Sequence, residues 1–270
     1  MKEMQIKEAF AKTAFISSFR AIKKSFIHIV FLDFLYYTIF LFVGSFYVFR
    51  VLPWLFDAIE GAKILKQTAF ASTAEFLAEG TAIQLQWSSF KIYTVSIFII
   101  LLLNYVFFKY FIWQKILEKK VPFKKEIKNL GLFALLNTVI ALLAVLILVA
   151  CYYLFVLEVF NIFFFFVVPL LTLYTITLTH PLFVESLSFQ KTAQRFFVVG
   201  IKNIYRWIIP FIIITAGAYL VMQIVPILLF VPDAIYFVWY VLCFAAYFSW
   251  SKLYVKEVIG KIESKINHLS

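Results

Sequence analysis

The chain has 270 residues, of which 64% are hydrophobic, 21% aromatic and only 14% charged. A water-soluble domain carries about 45–50% apolar and about 25% charged residues, so this excess excludes a soluble fold and makes lipid the solvent. The net charge of +11 at pH 7 excludes an acidic surface and raises the question of where the positive charge sits.

No Pro/Gly/Ser-rich linker divides the chain, so residues 1–270 read as a single membrane domain. Six segments approach the roughly 20 apolar residues that a helical span needs: 26–51, 92–113, 132–157, 160–180, 207–230 and 234–251. The expected fold class is therefore all-α, a polytopic membrane protein of six transmembrane helices with amphipathic helices on the cytoplasmic side. The first apolar run, Phe26 to Leu55, far exceeds a signal-peptide core of about 7–15 residues, so span 1 is expected to persist in the mature protein. Residues 160–166 have strand propensity, but an unpaired strand cannot satisfy its backbone in lipid, so a helix is expected there too. Pro169, Pro210 and Pro226 lie in or near span ends, where they kink or frame helices.

Between spans 1 and 2 lies an external loop, 52–90, with Asp57, Glu60, Glu75 and Glu79 against Lys63 and Lys66. Phe56, Ile59, Lys63 and Phe70 have helix-compatible spacing. The loop reads as an interfacial segment with one amphipathic helix lying on the outer surface.

Basic residues set the orientation. Six fall in 1–24, seven in 109–128, four in 182–206 and four in 252–270, leaving only Arg50, Lys63, Lys66 and Lys91 around the 52–90 loop. This alternation matches six spans with both termini cytoplasmic, in a plasma membrane. Trp54, Trp87 and Trp239 fall near outer span ends, and Trp113, Trp207 and Trp250 near inner ones, as an aromatic belt requires. Each basic cluster abuts a span, so the expected partner is the anionic headgroup layer and not nucleic acid. Lys23, Lys24, Lys128, Arg195, Lys202 and Arg206 are the candidate headgroup contacts. Fixing topology alone is the competing reading of the same charges.

An internal repeat accompanies this pattern. Ile22-Lys23-Lys24, Ile127-Lys128-Asn129 and Ile201-Lys202-Asn203 each precede a span. Phe15, Phe19, Ile22 and Phe26 share one helical face, as do Phe189, Ala193, Phe196 and Gly200. The chain resolves into three units of surface helix plus membrane hairpin. The segment PLFVESLSFQKTAQRFF, with Pro181, Val184, Glu185, Ala193 and Arg195, followed by an apolar span, resembles the six-span membrane domains of glycerophosphodiester phosphodiesterases and their relatives. Phe197 stands where such proteins commonly have Ser. AFAKTAFISSFRAIKKSF before span 1 looks like the same element again. The resemblance implies a membrane module and no particular reaction.

Asp33 is the residue most at odds with its surroundings, roughly 10 Å inside span 1. A carboxylate at that depth costs about 2.5–3.5 kcal/mol on insertion scales and faces the protein interior. Lys109, at similar depth in antiparallel span 2, is its expected partner. The pair reads either as a dock between spans 1 and 2 or as a cation- or proton-linked site. Thr172, Thr175 and Thr179 share a face of span 4, and Asn104, Asn137, Thr177 and Gln223 are further polar residues in spans. They either bond between helices or to their own backbone, or line a pathway.

His28, His180 and His268 are dispersed, and Cys151 and Cys243 are isolated in apolar runs, so no metal site, cofactor site or disulfide framework is expected. No HExxH, P-loop or GxSxG pattern is present. The reading is a non-enzymatic integral membrane module, lipid-interacting or serving as the anchor of a larger assembly. The alternative is a small-solute or ion transporter with Asp33 as its intramembrane site.

Overall fold

The computed structural model describes residues 13–22, 25–67, 73–154, 158–224 and 233–267. Among them no strand occurs; they form nine α-helices. These are α1 (13–20), α2 (Ser25–Phe46), α3 (Leu52–Gln67), α4 (Thr73–Ile116), α5 (Phe123–Leu154), α6 (Glu158–Ser186), α7 (Phe189–Phe196), α8 (Ile208–Ile224) and α9 (Asp233–Asn267). Among the described residues five segments are long and apolar enough to cross a membrane: Phe26–Lys66, Glu75–Ile116, Lys124–Cys151, Phe164–Ser186 and Ile204–Gln223. The expected sixth span, 234–251, is the first half of α9. Apolar side chains stand exposed on these helices, among them Phe31, Phe42, Ile92, Phe98, Leu142, Phe165 and Ile212. In water such surfaces would aggregate; in lipid they are the expected outer face.

The chain packs as two compact units, Met1–Leu35 with Val106–Ser270, and Tyr36–Tyr105. The second unit is an antiparallel helical hairpin. Its register is fixed by Asn104 Nδ2, which donates to the Tyr36 carbonyl at 3.3 Å, by the Trp54 and Tyr93 rings at 5.0 Å, and by Gly61 lying against Ile83. Here the structure carries more helix than the one amphipathic helix expected in the 52–90 segment. Residues 52–67 continue α2 through a π turn, Tyr47–Val51, and residues 73–90 are the first part of α4. Pro53 accounts for the π turn: its ring cannot accept an ordinary helical carbonyl four residues back, and the wider turn, with the Leu52 N–H on the Tyr47 carbonyl, relieves the clash.

The first unit holds α1, the start of α2, the end of α4 and α5 to α9. Its core contains Tyr110, Ile112, Phe133, Leu178, Leu182, Phe183, Trp207, Tyr254 and Ile262, all essentially inaccessible. Helix α1 docks on α9 through buried Ala14 and Ser18. Ser18 Oγ accepts from Trp250 Nε1 at 3.1 Å and donates to the Phe15 carbonyl at 2.6 Å. Phe15 closes the contact edge-on to Trp250, which stacks on Tyr254 at 5.7 Å.

The three expected surface helices are not alike. α1 and α7 are short and separate, whereas Ile127-Lys128-Asn129 lies inside α5. Nothing between Phe123 and Leu154 breaks a helix except the tolerated Gly131, so α5 runs straight on from its start. A second π turn, Phe197–Ile201, follows α7. Its freed carbonyls are taken up by side chains: Asn203 Nδ2 on Val198 O at 2.7 Å, Trp207 Nε1 on Val199 O at 3.1 Å and Tyr174 Oη on Gly200 O at 3.0 Å.

Candidate functional site: a buried lysine–aspartate cluster and a basic rim

Helix α2 carries Asp33 about 12 Å from its first residue. Its carboxylate is fully buried. Helix α9 presents Ser249 and Lys252, three residues apart and so on one face. Ser249 Oγ donates to Asp33 Oδ2 at 2.7 Å, and Lys252 Nζ donates to Asp33 Oδ1 at 2.7 Å and also to Oδ2. Lys109, on α4, places Nζ 3.5 Å from Asp33 Oδ1. The lysine expected as partner thus lies near Asp33, and a second lysine lies closer. The lysine side chains keep 11% and 12% of their surface exposed while the carboxylate keeps none. One carboxylate is therefore enclosed by two amines and a hydroxyl, tying α2, α4 and α9 together.

Lys252 was not separable from the sequence. It follows the last apolar run, where a lysine is expected for topology alone. Only its spacing from Ser249 on a helix that continues beyond the span hints at an inward face.

His180 lies buried in α6, its ring 4.7 Å from Phe133. Asn137 Nδ2 donates to the Phe133 carbonyl at 2.8 Å, which turns Oδ1 toward His180 Nε2, 2.7 Å away. A ring protonated at Nε2 donates to this oxygen. Among the described residues no group of three His, Cys, Asp or Glu is placed to hold a metal ion.

The threonines of α6 do not form a row of free donors. Thr172, Thr175, Thr177 and Thr179 each donate to the carbonyl four residues back, at 2.7–2.8 Å. This satisfies the hydroxyl protons along α6.

The residues expected at headgroups fall into three groups. Lys23 and Lys24 lie outside the described residues. Lys128 and Lys202 are exposed and Arg206 half-buried. Arg195 is turned inward to two carboxylates: Nη2 donates to Glu185 Oε2 at 2.7 Å and to Glu263 Oε1 at 2.7 Å, and Nε to Glu263 Oε1 at 2.9 Å. Burial pulls its pKa down, but hydrogen bonds and charges from Glu263 and Glu185 outweigh that and hold it above the ordinary arginine value. This clamp joins α6, α7 and α9.

At the end of α4 the chain turns through Glu118, at φ 54°. The Lys119 N–H reaches the Gln114 carbonyl at 3.0 Å and the Glu118 N–H the Lys115 carbonyl at 3.2 Å, a Schellman cap made without glycine. Lys119 Nζ donates to the Glu185 carbonyl and Lys256 Nζ to the Ile116 carbonyl at 3.0 Å. Lysines thus satisfy the open C-terminal carbonyls of α6 and α4, where cations are favoured.

Several grooves border these elements, two of them at α9 and at α4. One, of about 750 Å³, is apolar and lined by Phe15, Phe19, Ile213, Gly217, Tyr247 and Trp250 among others. The other, of about 550 Å³, lies between Leu32 of α2 and the end of α4. No family model, curated protein or solved structure matches this chain.

Proposed function

We propose that this chain is a non-enzymatic integral membrane module. It crosses the bilayer six times, with 234–251 of α9 as the sixth span, and carries both termini and its basic clusters on the cytoplasmic side of the plasma membrane. There it engages anionic lipid headgroups and serves as an anchor for a larger assembly. The observation that carries this reading is the division of the charges. Asp33 is enclosed by Lys109 and Lys252, and Arg195 is paired with Glu185 and Glu263, so these groups hold helices together. Lys115, Lys120, Lys128 and Lys202 stand exposed beside long apolar helices, the arrangement that anionic headgroups favour. The resemblance of the Pro181–Arg195 segment to the membrane domains of glycerophosphodiester phosphodiesterases supports a module of the same kind.

A second reading, a transporter with Asp33 as its site, is favoured by one observation: two lysines share one carboxylate at membrane depth. The α6 hydroxyls bonded to their own helix weigh against it.

The test is native mass spectrometry from nanodiscs of mixed phosphatidylcholine and phosphatidylglycerol. The module reading expects phosphatidylglycerol, or a protein at fixed stoichiometry, to be retained. A lone chain with neither, together with a pH-dependent flux in vesicles abolished by Asp33→Asn, establishes the transporter instead.

A further inference from the structure

We infer that the groove at the end of α4 is a binding site for one anionic phospholipid, with Lys115, Lys119 and Lys120 on the phosphate and Leu32, Phe107 and Phe111 under the acyl chains. The inference rests on the membrane-module reading and gives it a specific site. The groove's lining is ordered as a phospholipid is ordered. Phe107, Phe111 and Lys115 follow one another at four-residue intervals on one face of α4, with Gln114 and Glu118 beside them. Lys115 therefore lies about 6 Å along the axis from Phe111 and about 12 Å from Phe107. The apolar floor continues into a segment apolar enough to cross a membrane, and the cations close its end.

The charge at the mouth is unbalanced. Three lysines face one carboxylate, Glu118, and a second carboxylate, Glu126, is engaged by Gln114 Nε2 at 3.3 Å. Lys115 and Lys120 are exposed and form no ion pair with the described residues. Lys119 gives one proton to the Glu185 carbonyl, which anchors it and leaves two donors. A cavity of about 550 Å³ is of the size that holds a small ligand. The larger apolar groove beside α8 has no cation in its lining, so nothing there orients a headgroup. None of the three groove lysines is among the basic residues that the sequence pattern singles out as headgroup contacts.

The experiment titrates the full chain in mild detergent with dioctanoyl-phosphatidylglycerol and with dioctanoyl-phosphatidylcholine, reading bound lipid by native mass spectrometry. The wild-type chain is expected to take up one phosphatidylglycerol in preference. Each exposed lysine near a headgroup is worth about fivefold, so Lys115→Gln with Lys120→Gln is expected to weaken that binding tenfold or more. Lys191→Gln with Lys265→Gln, exposed lysines outside the groove, is expected to leave it unchanged. Both substituted pairs lie on the surface, and helix content by circular dichroism verifies that each variant is folded. Phosphatidylglycerol binding that survives Lys115→Gln with Lys120→Gln, or falls equally in the control pair, overturns this site while leaving a general basic face standing. No preference for phosphatidylglycerol in the wild type overturns the lipid reading itself. Displacement of the lipid by inorganic phosphate at equal concentration makes the groove a site for soluble phosphate and overturns the lipid assignment.

Discussion

The Asp33 cluster shows how a single side chain decides between a stable and an unstable core. A carboxylate with no exposed surface, bonded by Ser249 and Lys252 and approached by Lys109, is held by its partners, and removing it strands two amines. Asp33→Asn is therefore expected to lower stability by about 3–5 kcal/mol, the usual cost of breaking a buried pair. Lys109→Met leaves a carboxylate still bonded by Lys252 and Ser249 and is expected to cost clearly less. Thermal unfolding of each variant in one detergent measures this; equal losses would contradict the unequal partnership. Asp33 and Lys109 were legible in the sequence because a charge inside an apolar run is conspicuous, and depth along antiparallel helices places them level. Ser249 and Lys252 were not, because a serine and a flanking lysine look ordinary until α9 is known to continue past the span. Arg195 was visible as a basic residue on an amphipathic helix. Its partners, 10 and 68 residues away, are set by tertiary packing that no local pattern encodes.

At the scale of elements, the two π turns mark where the local pattern and the final path of the chain differ. Apolar periodicity finds the long helices, because lipid exposure demands continuous apolar surface, and it misses the way they connect. Residues 52–90 carry enough charge to read as an interfacial loop with one amphipathic helix, yet both α3 and the start of α4 are helical and pair through Trp54 with Tyr93 and Gly61 with Ile83. In the Phe197–Ile201 turn, three side chains satisfy three carbonyls. Trp207→Phe keeps the buried ring but strands the Val199 carbonyl. It is expected to destabilise the protein by about 1–3 kcal/mol, measured as a lowered Tm against wild type. An unchanged Tm would show that the turn does not depend on this bond.

Across the whole molecule, the apolar excess, the placement of the basic residues and the exposed apolar helix surfaces converge on a membrane protein. The number of crossings is where composition runs short. Among the described residues five segments meet the length and apolarity of a span, and the Tyr- and Trp-rich first half of α9 is the sixth under the proposed topology. Those aromatics suit an interfacial belt as well as a span, so mean hydropathy does not distinguish the two. The count decides everything else. With six crossings every basic cluster shares one face and the lipid reading holds together, whereas five crossings put the end of α9 on the side opposite α1. The most direct measurement is labelling with a membrane-impermeant maleimide in sealed vesicles of known orientation. It uses single cysteines at the exposed positions Arg20, Glu79, Lys120, Lys202 and Lys265, in a background of Cys151→Ser and Cys243→Ser. The proposed topology expects Arg20→Cys, Lys120→Cys, Lys202→Cys and Lys265→Cys to react from the cytoplasmic side and Glu79→Cys from the other. Reaction of Lys265→Cys from the side opposite Arg20→Cys would contradict it.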